Sequence, residues 1–89
     1  MKTTPKILVL EGQWVLCGDV LMSPKEPKGS ALVRVYDAHV IRVWGTTDGL
    51  GQLALHGKQV DTVLDLCGVA DIPKGKILYT MDCASRFWA

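Results

Sequence analysis

Residues Leu32 to Leu66 read LVRVYDAHVIRVWGTTDGLGQLALHGKQVDTVLDL, and this stretch decides the fold class. The pieces Arg34-Val35-Tyr36 and Arg42-Val43-Trp44 echo one another across Asp37-Ala38-His39, as two arms of a β-hairpin would, because β-branched and aromatic residues favour the pleated conformation. Leu50, Leu53 and Ala54 then stand at the i, i+3, i+4 spacing of one helix face, which predicts a short helix from Gly49 to His56. Asp48 is a candidate N-cap, and Gly57 suits the left-handed position past a helix end. Two internal glycines each weaken such a helix by about 1 kcal/mol, so its leucines must find a sheet to pack on. After Gly57, Val60, Thr62, Leu64 and Leu66 alternate with Asp61, Val63 and Asp65, the period-two signature of a half-buried strand that Gly68 is expected to end.

The flanking segments extend the same reading. Ile7 to Leu10 is a continuous apolar run, Glu11-Gly12-Gln13 is a turn signal, and Trp14 to Met22 resumes as a second strand. Together they predict a β-hairpin with a bulge or bend at Gly18. Residues Ser23 to Ser30 combine prolines, a glycine and charges without an apolar member, the pattern of an exposed loop. Asp71 to Lys76 is a further turn, and Ile77, Tyr79, Met81 and Cys83 form one face of a last strand. The tail from Ala84 to Ala89 carries Phe87 and Trp88, which a free tail does not normally do.

The sum is one domain over residues 1–89, mainly β (α+β): a small, strongly bent antiparallel sheet or partly open barrel with one short helix. The expected core is Leu8, Leu10, Trp14, Leu16, Val20, Val33, Val35, Ile41, Val43, Leu50, Leu53, Leu64, Leu66, Ile77 and Tyr79. A chain this short buries only about 60 to 65% of the surface its unfolded form exposes. Yet 48% of its residues are hydrophobic and only 21% charged. Such a composition predicts apolar surface covered by another chain, hence a homo-oligomer.

Charge and chemistry narrow the function classes. A net charge of +1 offers no general attraction to phosphate backbones or anionic lipids. No apolar run approaches the ~20 residues of a membrane span. Cys17, Cys67 and Cys83 are odd in number and far apart, so a disulfide framework is not expected. Each lies in or at the end of an apolar run, where a free thiol behaves as a small buried hydrophobe. With no signal-peptide pattern, the expected compartment is the cytoplasm. His39, His56 and the cysteines lack the close pairing of zinc ligands, so no metal and no cofactor is expected. Gly45 to Gly51 is glycine-rich before a helix but lacks the lysine and spacing of a phosphate loop. No nucleophile with a neighbouring base stands out, and the chain reads as a non-enzymatic protein.

The aromatics are the residues to follow, since Trp and Tyr dominate binding hot spots. Tyr36, Arg42, Trp44, Arg86, Phe87 and Trp88 form the candidate binding set, with the tail docking on a partner subunit or on the domain's own edge. Arg34, Tyr36, Arg42 and Trp44 on one sheet face also describe a nucleic-acid-binding module, an alternative disfavoured by the near-neutral charge. A nucleotide or small-molecule site at a subunit interface is a third possibility.

From Val40 through Cys83, the order of Val43-Trp44, Leu50-Gly51-Gln52-Leu53-Ala54-Leu55-His56-Gly57, a polar turn and two alternating strands resembles a family of small proteins of unknown function found in phages and prophages. The resemblance covers about half the chain, and its clearest element is the Leu50-x-Gln52-Leu53-Ala54-x-x-Gly57 helix after a tryptophan-bearing strand. It implies a mobile-element context and carries no catalytic residues. The expectation it completes is an accessory protein that binds a host or phage protein.

Overall fold

The computed structural model describes residues 3–21, 32–47 and 49–88. The expected loop over Ser23 to Ser30 and the Asp48 cap lie outside the described residues. Five strands and one helix follow in the order β1 Thr3–Leu10, β2 Val15–Leu21, β3 Leu32–Val43, α1 Leu50–His56, β4 Val63–Pro73 and β5 Ile77–Asp82. They form one antiparallel sheet in the order β4-β3-β2-β1-β5, which is not closed.

Bending is imposed by chain connectivity. In a flat sheet β4 and β5 would lie four strand spacings apart, about 19 Å. Only the 3-10 turn Lys74–Lys76 separates Pro73 from Ile77, a span of about 14 Å at full extension. The sheet must therefore curl until its two edges approach at this corner, and several register shifts accommodate the curl. One lies at Gly18, between Cys17 and Asp19 of β2, as the sequence suggested.

The β1–β2 hairpin is present, with Ile7 opposite Cys17 and Leu8 opposite Leu16. Its three-residue turn Glu11–Gln13 is closed by the Leu10 N–H donating to the Trp14 carbonyl at 2.8 Å. The helix also falls where its leucines placed it: Leu50, Leu53 and Ala54 are buried, and the Gly57 N–H, at φ 84°, donates to the Leu53 carbonyl.

Three expectations about the strands are corrected. Residues 34–44 do not turn back as a hairpin, because Leu32–Val43 is one continuous strand that pairs with β2 on one side and β4 on the other. The polar triplet is a bulge in it, with Asp37 at φ 52°. Gly68 does not end β4, since at φ 86° it lets the strand bend and run on to Pro73. The following turn is accordingly confined to Lys74–Lys76, with Asp71 and Ile72 inside the strand.

Because the sheet curls, both faces acquire a core. On one face α1 and the segment after β5 cover Ile7, Val15, Cys17 and Ile41, with Leu50, Leu53, Ala54 and Trp88 filling the layer. On the other, the curl brings together Leu8, Leu16, Val20, Val35, Ala38 and Ile72. This two-sided burial explains the errors in the expected core. Trp14, Val43, Leu66 and Tyr79 are exposed. Ile7, Val15, Ala38, Ile72 and Trp88, absent from the expected core, are buried, and Cys17 is buried as expected of its thiol. A central strand buried on both faces has no polar parity to read.

The segment after β5 is held by backbone as well as side chains. The Cys83 N–H donates to the Pro5 carbonyl and the Ala84 N–H to the Ala54 carbonyl, at 2.9 and 2.8 Å. These bonds bridge β1, the tail and α1, and they aim Phe87 and Trp88 under the helix.

Candidate functional site

At the end of the sheet where β1 turns into β2, the tight turn leaves Trp14 at the first extended position, 59% exposed. Trp14 lies back toward the turn: a Cβ on Gly12 would be 3.5 Å from its Cδ1. Register places Val40 of β3 opposite Leu16 on one side and Asp65 of β4 on the other. The result is a recess of about 420 Å³ lined by Gln13, Trp14, Val15, Val40, Ile41, Arg42 and Asp65. Its apolar lining is Trp14, Val15, Val40 and Ile41, of which Trp14 is the exposed one and Val15 and Ile41 are nearly buried. Its charged side is the ion pair from Arg42 Nε to Asp65 Oδ2, at 3.0 Å and with both side chains about half exposed. An indole face, aliphatic walls and a net-neutral charged pair suit a mixed apolar and polar surface such as a protein segment.

Of the six residues the sequence singled out, only Arg42 belongs to this recess. Trp44, 43% exposed, follows β3. Its carbonyl accepts from the buried Thr62 hydroxyl at 2.7 Å, which ties it to the turn before β4. Tyr36 is half-buried opposite Asp19 in the β2–β3 register. Arg86 meets the same bend: its Nη2 lies 2.7 Å from Asp19 Oδ2 and 3.8 Å from Asp37 Oδ2. Phe87 and Trp88 form an edge-to-face pair with ring centres 5.0 Å apart. The Trp88 side chain is 7% exposed in this chain's own core, so as a docking residue it is corrected to a structural one. Of the two places expected for the tail, Trp88 occupies the one on the domain itself.

The arginines of the nucleic-acid alternative are engaged. Arg34 Nε and Nη2 donate to both Asp71 carboxylate oxygens, at 2.9 and 3.1 Å. That hydrogen bonding pushes the Arg34 guanidinium up and holds Asp71 below the usual carboxylate range. With Arg42 paired to Asp65, neither guanidinium is presented without a carboxylate beside it.

The cysteines divide by position. Cys17 is fully buried, and burial pushes its thiol up to about 12, away from nucleophilic chemistry. Burial likewise raises Cys83 to about 11. Cys67 is exposed on β4, contrary to the expectation of burial, because neither core of the sheet extends to it. No group of three or more His, Cys, Asp or Glu residues able to hold a metal occurs among the described residues. No helix there is long and apolar enough to cross a membrane.

Sequence reasoning missed Trp14 by assigning it to the core. Its position immediately after a glycine turn is the available signal, since the first residue of a strand beyond a tight turn lies at the sheet rim rather than over its centre. Comparison with known protein families, with curated proteins and with solved structures finds no match to this chain.

Proposed function

We propose that the protein is a non-enzymatic binding module that self-associates and recognises a segment of another protein at the Trp14 recess. The observation that carries the reading is Trp14 itself. A tryptophan more than half exposed beside aliphatic walls and the Arg42–Asp65 pair has the composition of a binding hot spot, an aromatic anchor with a polar rim. The resemblance to phage and prophage proteins supports placing it in a mobile element, with a host or phage protein as partner.

The experiment is affinity capture from host lysate with the wild type, Trp14→Ala and Arg42→Glu, each first matched for thermal melting. A protein retained by the wild type and depleted at least tenfold by Trp14→Ala, about 1.4 kcal/mol or more, supports the recess. Equal capture by all three variants removes it. The nucleic-acid reading is separated in the same assay, since binding through phosphates weakens steeply with added salt. The paired state of Arg34 and Arg42 favours the protein reading over it.

A further inference from the structure

After β3 the chain leaves the sheet, and before β4 it returns, through one neck. There the Thr62 hydroxyl donates to the Trp44 carbonyl at 2.7 Å, and a Cβ on Gly45 would collide with the backbone of Asp61 and Thr62. Helix α1 stands beyond this neck, a seven-residue helix with glycine at its N-cap and at its second position, too short and too glycine-rich to persist unaided. It packs on Ile7, Val15, Cys17 and Ile41 through Leu50, Leu53 and Ala54. Among the described residues, the Ala84 N–H donating to the Ala54 carbonyl is the one backbone hydrogen bond that ties α1, beyond its own caps, to another part of the chain. The segment that supplies it also abuts the helix end, where a Cβ on Gly57 would lie 3.5 Å from Phe87 Cβ, and it sends Trp88 beneath the helix. Arg86 fastens that segment to the sheet, with Nη2 2.7 Å from Asp19 Oδ2 and 3.8 Å from Asp37 Oδ2.

We infer that α1 and residues 84–88 form one lid over the floor of the Trp14 recess, latched by Arg86 and opening as a unit about the neck while the sheet stays paired. Backbone bonding draws the boundary. The Ala84–Ala54 bond lies inside the lid and the Cys83–Pro5 bond inside the sheet, and among the described residues no further backbone bond joins the lid to the strands. Lifting the lid therefore breaks apolar contacts and the Arg86 latch but no strand ladder, the condition for an opening well below global unfolding. The second core takes no part, since Leu8, Leu16, Val20, Val35, Ala38 and Ile72 are enclosed by the strands themselves. Val15 and Ile41 connect the lid to the recess. Both line it, yet they are 6% and 4% exposed because they also lie under Leu50, Leu53 and Trp88. Opening uncovers them and lengthens the apolar wall beside Trp14, so the closed lid competes with a bound segment for the same floor. That consequence for binding rests on the recess reading above; the lid itself does not.

Cys17 reports the opening, because it is fully buried beneath the lid. In a chain carrying Cys67→Ser, Cys83→Ser and Val35→Cys, one thiol lies under the lid and the other in the strand-enclosed core, where Val35 is fully buried. Excess iodoacetamide, quenched at intervals and read by peptide mass, is expected to alkylate Cys17 faster than position 35 by about tenfold or more, and Arg86→Ala to raise the Cys17 rate about tenfold. Equal rates at the two positions mean that Cys17 is reached only by global unfolding, which overturns the lid. A Cys17 rate untouched by Arg86→Ala overturns the latch. Amide exchange in the unmutated chain decides the matter where a variant fails to fold. The Gly57 and Ala84 N–H groups, which donate to the Leu53 and Ala54 carbonyls, should show one shared protection factor, smaller than that of the β1–β2 hairpin. Two different factors, or a shared one as large as the hairpin's, overturn the single unit. Neither readout involves a partner, so failure of the recess in affinity capture and failure of the lid are separate results.

Discussion

Arg86 Nη2 stands 2.7 Å from Asp19 Oδ2, and this contact joins the segment after β5 to the bend in β2. The Asp19 side chain is only 10% exposed, whereas Arg86 is about half exposed. The pair is therefore asymmetric: its loss strands a buried carboxylate and frees a cation that water can solvate. Arg86→Ala is expected to destabilise the domain by about 1 to 3 kcal/mol in urea titration. Asp19→Asn, which keeps an acceptor and removes the buried charge, should cost less. The two together should be less destabilising than their sum, and strict additivity in this cycle sinks the coupling.

Trp88 presents a different balance. Its indole lies in the core beneath α1, yet its Nε1–H is buried with no hydrogen-bond partner among the described residues. Trp88→Ala removes the whole ring and should cost about 3 to 5 kcal/mol, enough to unfold much of a small domain at 25 °C. Trp88→Phe retains an aromatic body and deletes the unpartnered donor, so relief of that penalty offsets part of the lost volume. The two melting curves should differ widely. If Phe is as damaging as Ala, the buried N–H carries no penalty.

How much of this was legible in sequence follows from where burial is one-sided. The helix was readable because Leu50, Leu53 and Ala54 share one face and Gly57 closes it. The first hairpin was readable because Glu11-Gly12-Gln13 interrupts two apolar runs. β3 was misread as a hairpin because Asp37-Ala38-His39 has turn composition. Only the pairing of both its halves with β4 shows that the polar triplet is a bulge. Parity failed in β1 and β2, where alternate residues enter two separate cores. The recess joins residues from three strands and a turn, a proximity created by register, which no local spacing encodes. Arg42 was named from its neighbours, but its ion pair with Asp65 depends on that register.

The two glycines Gly18 and Gly51 give a test with opposite signs. A Cβ on Gly18 would lie 2.4 Å from Val35 Cγ1 and 3.0 Å from the Tyr36 carbonyl oxygen. Val35 is fully buried and cannot move aside. Gly18→Ala should therefore destabilise by about 1 to 3 kcal/mol through overpacking. Gly51, inside α1, has nothing within 4 Å of its Cβ direction, so Gly51→Ala should stabilise by about 0.5 to 1 kcal/mol through helix propensity. Denaturant midpoints moving in the same direction for both would contradict the close approach of β2 to the β3 bulge.

Alkaline pH should weaken the fold through Cys17. Burial raises its thiol from an ordinary 9.0 to about 12, so the folded chain holds a proton that the unfolded chain releases first. A raised folded value means that the contribution is complete below pH 9 and is lost as pH climbs toward 12. The slope approaches about 1.4 kcal/mol per pH unit at most. Cys83, raised for the same reason to about 11 but partly open to water, adds a smaller share. The measurement is the difference in slope of unfolding free energy between wild type and Cys17→Ala from pH 8 to 11, which isolates the Cys17 contribution. The wild type should fall more steeply, whatever the offset left by the lost volume. Parallel slopes would mean that the Cys17 thiolate is as well accommodated in the folded chain as in the unfolded one.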